Sequence, residues 1–278
     1  MFGIILTSLG SFLSEVSDSI GKDQVFRREQ SLYAMGFLQL FFGGLIFLGL
    51  AIFKPGAFIF QWASWPTFLV RVILEIVQAH ITVSAIAAAD RSTFSFIRVG
   101  TIPLLLGVDA MLGYTLKGTQ LLGFGIITLA LLVTFLNHGI KKAGLWFVLA
   151  STINAVITIS LFKYDITHFN SVVAEQLIIM IIVLGYFIYG AMRRAHENPF
   201  KLLRKSLFFT QSFAYGAGEI AQSFAMSFAP ASIIIAAKRS SAVLWSLLSG
   251  NLYFKEKGLF IKLFIALLLV GGLILLAL

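Results

Sequence analysis

Six ionisable side chains stand inside long apolar runs of this chain: Glu15, Glu75, Glu219, Arg98, Lys238 and Arg239. Taking such a group out of water is costly, so it is kept where it grips a charge, carries a proton or pairs with an opposite charge. Arg can hold a phosphate or carboxylate through two parallel bonds, and Lys adds a compact charge. Arg98 together with Lys238 and Arg239 therefore predicts a clamp for a small anion. Glu15, Glu75 and Glu219 predict proton coupling, because a buried carboxylate can exchange its proton as its surroundings change. The third reading is a set of internal ion pairs that only hold helices together. Asp18, Arg71, Asp109 and Glu175 lie nearer the ends of their runs, where long side chains can snorkel to water.

The spacing of these residues names the helices that face a polar centre. Ser8, Ser11, Glu15 and Asp18 form one stripe, as do Arg71, Glu75, Gln78 and Thr82. Arg98, Thr101 and Asp109 form another, and Ser151, Asn154 and Thr158 a fourth. Ser212, Tyr215, Glu219 and Gln222, then Lys238, Ser241 and Trp245, complete the set. Steps of three and four residues put each group on one helical face. Six helices are thus expected to line one cavity. No catalytic constellation accompanies them: no H-E-x-x-H, no G-x-S-x-G and no Walker motif. The chain has four His and no Cys, and His80 has no second ligand at metal spacing. No enzyme activity, no cofactor and no metal are expected.

The elements that must carry these stripes follow from composition. Of 278 residues, 59% are apolar and only 12% charged, against about 45–50% and about 25% in soluble domains. A bilayer core about 30 Å thick needs about 20 apolar residues per helix. The sequence supplies ten such runs: 3–20, 31–53, 66–89, 92–114, 118–137, 143–162, 171–192, 206–228, 231–254 and 258–278. The expected fold is an all-α integral membrane protein of ten transmembrane helices. The net charge of +9 sits between the runs and reads as positive-inside anchoring, not nucleic-acid binding.

The chain also repeats itself. A shift of 140 residues puts Ala89 on Ala229, Ser92 on Ser232, Arg98 on Lys238 and Lys117-Gly118 on Lys257-Gly258. A shift of 141 puts Lys22 on Lys163. Two five-helix repeats, 1–137 and 138–278, are predicted. Five is odd, so they insert with opposite orientation, as in secondary transporters with a midplane site. Fourteen of the 21 Lys and Arg fall in odd-numbered connections and three in even-numbered ones, which favours both termini on the non-cytoplasmic side.

The ten runs, the five-plus-five repeat and the segment Pro230–Lys257, with its "AP" helix break and "FKEK" exit, resemble the drug/metabolite transporter superfamily in its ten-helix EamA-type form. That resemblance implies transport of a small molecule across a cell membrane and cytoplasmic termini, contrary to the charge bias. The pair Lys238-Arg239 with Arg98 is similar to the phosphate site of plastid sugar-phosphate translocators. There a basic residue of the fourth helix and a Lys-Arg pair of the ninth hold the anion. The same similarity implies substrate contacts for Tyr215 and His80, and Trp245 shares the stripe of Lys238. The expected function is a secondary transporter of a small organic metabolite, an anion, working by alternating access between the repeats. The alternative is a proton-coupled exporter of amino acids or cationic amphiphiles using Glu15, Glu75 and Glu219. Its partners would be a small-molecule substrate and the lipid bilayer of a bacterial-type inner membrane, with no nucleic acid, as monomer or homodimer.

Overall fold

A computed structural model describes residues 1–89, 94, 97–98, 100–115, 117–138, 144–254 and 259–278. Among them the structure is helical, with no strand. The long helices are α1 (Phe2–Phe26), α2 (Leu32–Phe53), α3 (Trp65–Ala88), α4 (Thr101–Met111), α5 (Gly118–His138), α6 (Leu145–His168), α7 (Val172–Arg193), α8 (Ser206–Ala225), α9 (Ala231–Phe254) and α10 (Leu259–Ala277). Among the described residues, four segments are long and apolar enough to cross a membrane: Leu32–Phe53, Trp62–Ala88, Leu145–His168 and Val172–Arg193. The chain is thus an all-helical protein whose apolar helices mark it as a membrane protein.

Polarity runs opposite to that of a soluble domain. On α3, Leu69, Val70, Ile73 and Val77 are exposed, while Arg71 and Gln78 on the other face are buried. An outward apolar face of this kind is stable only against an apolar solvent. Arg71 keeps 1% of its surface, and Asp165 and Glu175 keep none, so charges lie inside the bundle.

Local signals set where helices begin. Ser31 and Ser171 cap α2 and α7, each hydroxyl accepting from the amide three residues on, at 3.1 Å from Ala34 and from Ala174. Such caps satisfy amide groups that the helix itself cannot. Pro66 in the first turn of α3 lacks an amide proton the helix would leave unpaired.

Two crossings position the interior. Helix α1 lies directly on α8: a Cβ at Gly10 would stand 2.7 Å from the Gly218 carbonyl oxygen, so these backbones meet with nothing between them. Helix α3 crosses α6 through polar side chains instead. Gln78 Nε2 donates to Ser151 Oγ at 3.0 Å, and Asn154 Nδ2 donates to Gln78 Oε1 and to the Leu74 carbonyl, both at 2.9 Å. Elsewhere α2 packs on α7, α5 on α10, and α9 on α1 and α4.

Several ends differ from expectation. Runs expected to stop at 20 and 162 continue as helix to Phe26 and His168. Lys22 and Lys163, counted above among the connections, are therefore helical. Lys22 Nζ donates to the Ala89 carbonyl at 2.5 Å. Lys163 Nζ donates to the carbonyls of Met226 at 2.7 Å and Ala229 at 3.1 Å, just past the end of α8. Orphan carbonyls at a helix end give an ammonium the partners that burial requires. Asp109 is also buried rather than snorkelling, and accepts from the Ser232 amide at 2.8 Å at the start of α9. Ser92, Lys257 and Gly258 of the repeat argument, and the ends of the run 92–114 before Phe94, lie outside the described residues.

Candidate functional site

The same helical spacing that buries charge on one face builds a cavity of about 150 Å³ in the bundle. Arg71, Glu75 and Ala79 bring α3 to it at steps of four. Glu219, Gln222 and Ser223 line it from α8, Lys238 and Ile234 from α9, and Thr158 and Phe162 from α6. The walls also include Leu40 of α2 and Gln176, Ile179, Met180 and Val183 of α7. The expected six-helix lining is therefore revised: α2 and α7 contribute, and α1 and α4 do not reach this cavity. Helix α7 offers an apolar face at steps of three and four, which a search for polar stripes passes over.

A cluster around Arg71, which reaches the cavity through Arg71 and Glu75, is rich in carboxylates. Arg71 forms an ion pair with Glu175, lies 3.5 Å from Glu75 and donates to Gln176 Oε1 at 3.3 Å. Its guanidinium also sits 4.4 Å over the Phe162 ring. Gln176 passes the chain on, donating to Ser223 Oγ at 2.7 Å. Glu175 accepts from Asn170 Nδ2 at 2.5 Å, and that amide also donates to Ser64 Oγ at 2.8 Å. Thr67 Oγ lies 2.6 Å from Asp165 Oδ1. One base thus faces three carboxylates, Glu75, Glu175 and Asp165, with neutral amides and hydroxyls filling the gaps.

A second cluster, which reaches the cavity through Lys238, is rich in bases. Lys238 lines the cavity and lies within electrostatic reach of Glu219, Arg239, Arg98 and Asp18. Arg239 is buried and faces Arg98. Arg98 stands 5.1 Å over the Phe94 ring, within reach of Tyr215 and Asp18. Asp18 accepts from Gln39 Nε2 at 2.8 Å. Among the described residues, no ion pair joins Arg98, Lys238 or Arg239 to a carboxylate. Among the described residues the Nε atoms of Arg98 and Arg239 have no hydrogen-bond partner, nor has that of Arg71. What sets Arg98 and Arg239 apart is the lack of an ion pair, and guanidiniums without a carboxylate in low dielectric favour a bound anion.

Of the residues singled out by sequence, Glu75, Glu219 and Lys238 line the cavity. Arg98, Arg239 and Tyr215 gather behind Lys238. The remaining three do not join them. His80 shares a hydrogen bond of 2.9 Å with the Tyr186 hydroxyl and sits 5.8 Å from the Tyr33 ring, outside the cavity wall. Trp245 donates to the Ser8 carbonyl at 3.1 Å and packs 4.7 Å from Phe12, which ties α9 to α1. Glu15 is half-buried on α1, one turn from Asp18.

Sequence reading missed Glu175 as an interior group, placed Lys163 in a connection and passed over Asp165. The signal was present. The stripe Ser151, Asn154, Thr158 continues at the same steps through Phe162 to Asp165, and the stripe ending at Asp18 continues to Lys22. The groups sufficient for a metal site are absent among the described residues.

No protein-family model and no curated protein matches the sequence. The fold is similar to that of a protein solved by crystallography, with a TM-score of 0.64 over 97% of this chain and 98% of that one. At 10% identity the likeness speaks for the fold alone.

Proposed function

We propose that the chain is a secondary transporter that carries a small organic anion across a cell membrane by alternating access. The observation that carries this reading is the gathering of Arg98 and Arg239 within electrostatic reach of Lys238, which lines an interior cavity, with no ion pair to them among the described residues. A phosphate or carboxylate would supply the missing acceptors: bidentate on guanidinium, point-charge on ammonium. The cavity volume of about 150 Å³ suits a ligand of few heavy atoms.

We read the architecture as ten membrane helices in two inverted repeats, 1–137 and 138–278, of the EamA-type drug/metabolite transporter plan. Three pairs of features support it. Ser31 and Ser171 cap helices in the same way 140 residues apart. Lys22 and Lys163, 141 apart, reach the carbonyls of Ala89 and Ala229, 140 apart. The α1–α8 and α3–α6 crossings exchange under the same shift, Gly10 answering to Ser151 and Gly218 to Gln78. Two such halves with a site between them can rock to expose it to each side in turn.

A thermal-shift screen on detergent-purified protein tests the anion reading. Inorganic phosphate, phosphorylated metabolites, carboxylates, amino acids and quaternary amines would be compared, with Lys238→Ala and Arg98→Ala in parallel. A ligand at 100 times its Kd stabilises by about 2.7 kcal/mol. Stabilisation by anions that vanishes in both variants is expected. Stabilisation by amines or amino acids that survives in both would overturn the anion reading. It would favour the second reading, which rests on Glu75 and Glu219 standing in the same cavity as Lys238: a proton-coupled exporter of amino acids or cationic amphiphiles, abolished by Glu219→Gln.

A further inference from the structure

The interior holds a carboxylate that neither the basic cluster nor the cavity wall uses. Asp165, on α6, has no exposed surface. Among the described residues its Oδ2 has no hydrogen-bond partner, and its Oδ1 lies 2.6 Å from Thr67 Oγ. Thr67 Oγ also lies 2.9 Å from the Ser64 carbonyl oxygen. A hydroxyl has one proton to give and a carbonyl can only accept. If Thr67 gives its proton to Ser64, the short contact to Asp165 needs a proton from the aspartic acid. The charge count points the same way. The charged and titratable groups facing Asp165 are Arg71, Glu175 and His168, and those facing Glu175 are Arg71 and Asp165. Arg71 already pairs with Glu175 and lies beside Glu75. One guanidinium cannot neutralise three buried carboxylates, and an ionised Asp165 with one bare oxygen would stand uncompensated in low dielectric.

We propose that Asp165 is a proton-binding site, loaded in this conformation, with Thr67 as the acceptor of its O–H. Release breaks the Asp165 O–H bond and leaves the electron pair on the carboxylate. Thr67 then turns its own proton from the Ser64 carbonyl to Asp165, and the released proton passes to water. The route is short, because His168 and Thr167, within one turn, are exposed. Toward the interior, Glu175 and Arg71 link Asp165 electrostatically to Glu75 in the cavity wall. The binding site stands on its own geometry; its use as the coupling proton of a carrier rests on the transport reading above.

Infrared spectroscopy of the purified protein in nanodiscs, titrated from mildly acidic to alkaline pH, tests the proposal. The C=O stretch of a protonated carboxylic acid should be present, shift in D2O, and fall to baseline in Asp165→Asn, which keeps the side-chain shape. Thr67→Val, which keeps Asp165 and removes its partner, should shift the band without abolishing it; circular dichroism checks that both variants keep their helicity. Absence of the band at every pH, or a band unchanged in Asp165→Asn, overturns the proposal. Loss of the band in Glu75→Gln but not in Asp165→Asn would also overturn it, by placing the proton in the cavity wall. None of these outcomes depends on an anion binding, so a failed ligand screen and a failed proton site remain separate results.

Discussion

The two charged clusters of the interior, around Arg71 and around Lys238, solve the same problem by opposite means. Around Arg71, three carboxylates share one base, and Asn170, Gln176, Ser64 and Thr67 complete a hydrogen-bonded chain. Around Lys238, three bases gather within reach of Asp18 and Glu219, yet among the described residues no ion pair joins them to a carboxylate. A low dielectric strengthens every satisfied contact and penalises every unsatisfied one. The acid-rich cluster holds its base in ion pairs, with Arg71 Nε and Asp165 Oδ2 left without a hydrogen bond among the described residues, as expected of a structural or proton-holding element. The base-rich cluster is left short of acceptors, as expected of a place that receives them from a ligand.

That contrast can be broken by mutation. The largest effect is expected from Glu175→Ala, which leaves Arg71 buried without its ion-pair partner. About 3–5 kcal/mol of stability should be lost, read as a collapse of the melting midpoint in detergent. In the other cluster, Lys238→Ala relieves repulsion with Arg98 and Arg239. It should leave the midpoint of the empty protein unchanged or raised, while removing the roughly 2.7 kcal/mol that a saturating anion adds. A destabilised empty protein would show that Lys238 is an internal partner and erase the difference between the clusters.

A finer test replaces the pair itself. In Arg71→Met with Glu175→Leu, an ordinary buried ion pair would be exchanged at no cost, or with a gain of about 1–4 kcal/mol. Here Glu75, Asn170 and Gln176 also lose partners, so a net loss of about 1–3 kcal/mol is expected from groups left unsatisfied. A double variant as stable as the parent would reduce the network to that one pair. The smallest effect is expected from Thr67→Val, about 1 kcal/mol for one lost hydrogen bond, measured by the same melts.

Much of the helical layout was legible because hydropathy and polar stripes report burial directly. The runs at 31–53 and 171–192 match α2 and α7 to within a residue, each announced by a serine cap. Helix ends carrying charge were not legible. Lys22, Lys163 and Asp165 read as connection residues, because hydropathy penalises a charge whether or not a partner waits for it. The partners here are the carbonyls of Ala89, Met226 and Ala229 and the hydroxyl of Thr67, far away in sequence. The pairing of Arg71 with Glu175 was hidden for the same reason, across 104 positions. Residue types chose Lys238, Glu75 and Glu219 for the cavity. They also chose His80, which the structure places beside Tyr186 and Tyr33, a setting that looks no different in sequence from one facing a ligand.

The two helix crossings carry a consequence for how water enters. Where α3 meets α6, Gln78, Ser151 and Asn154 bond one another, and each bond can be exchanged for one to water as the helices part. Where α1 meets α8, Gly10 and Gly218 touch backbone to backbone, and polar contact comes from Gln222 Nε2 donating to Ser14 Oγ at 3.2 Å. Hydration can therefore exchange bonds along most of the first crossing but only beside the glycine contact at the second, which leaves the bundle a wetter seam and a drier one.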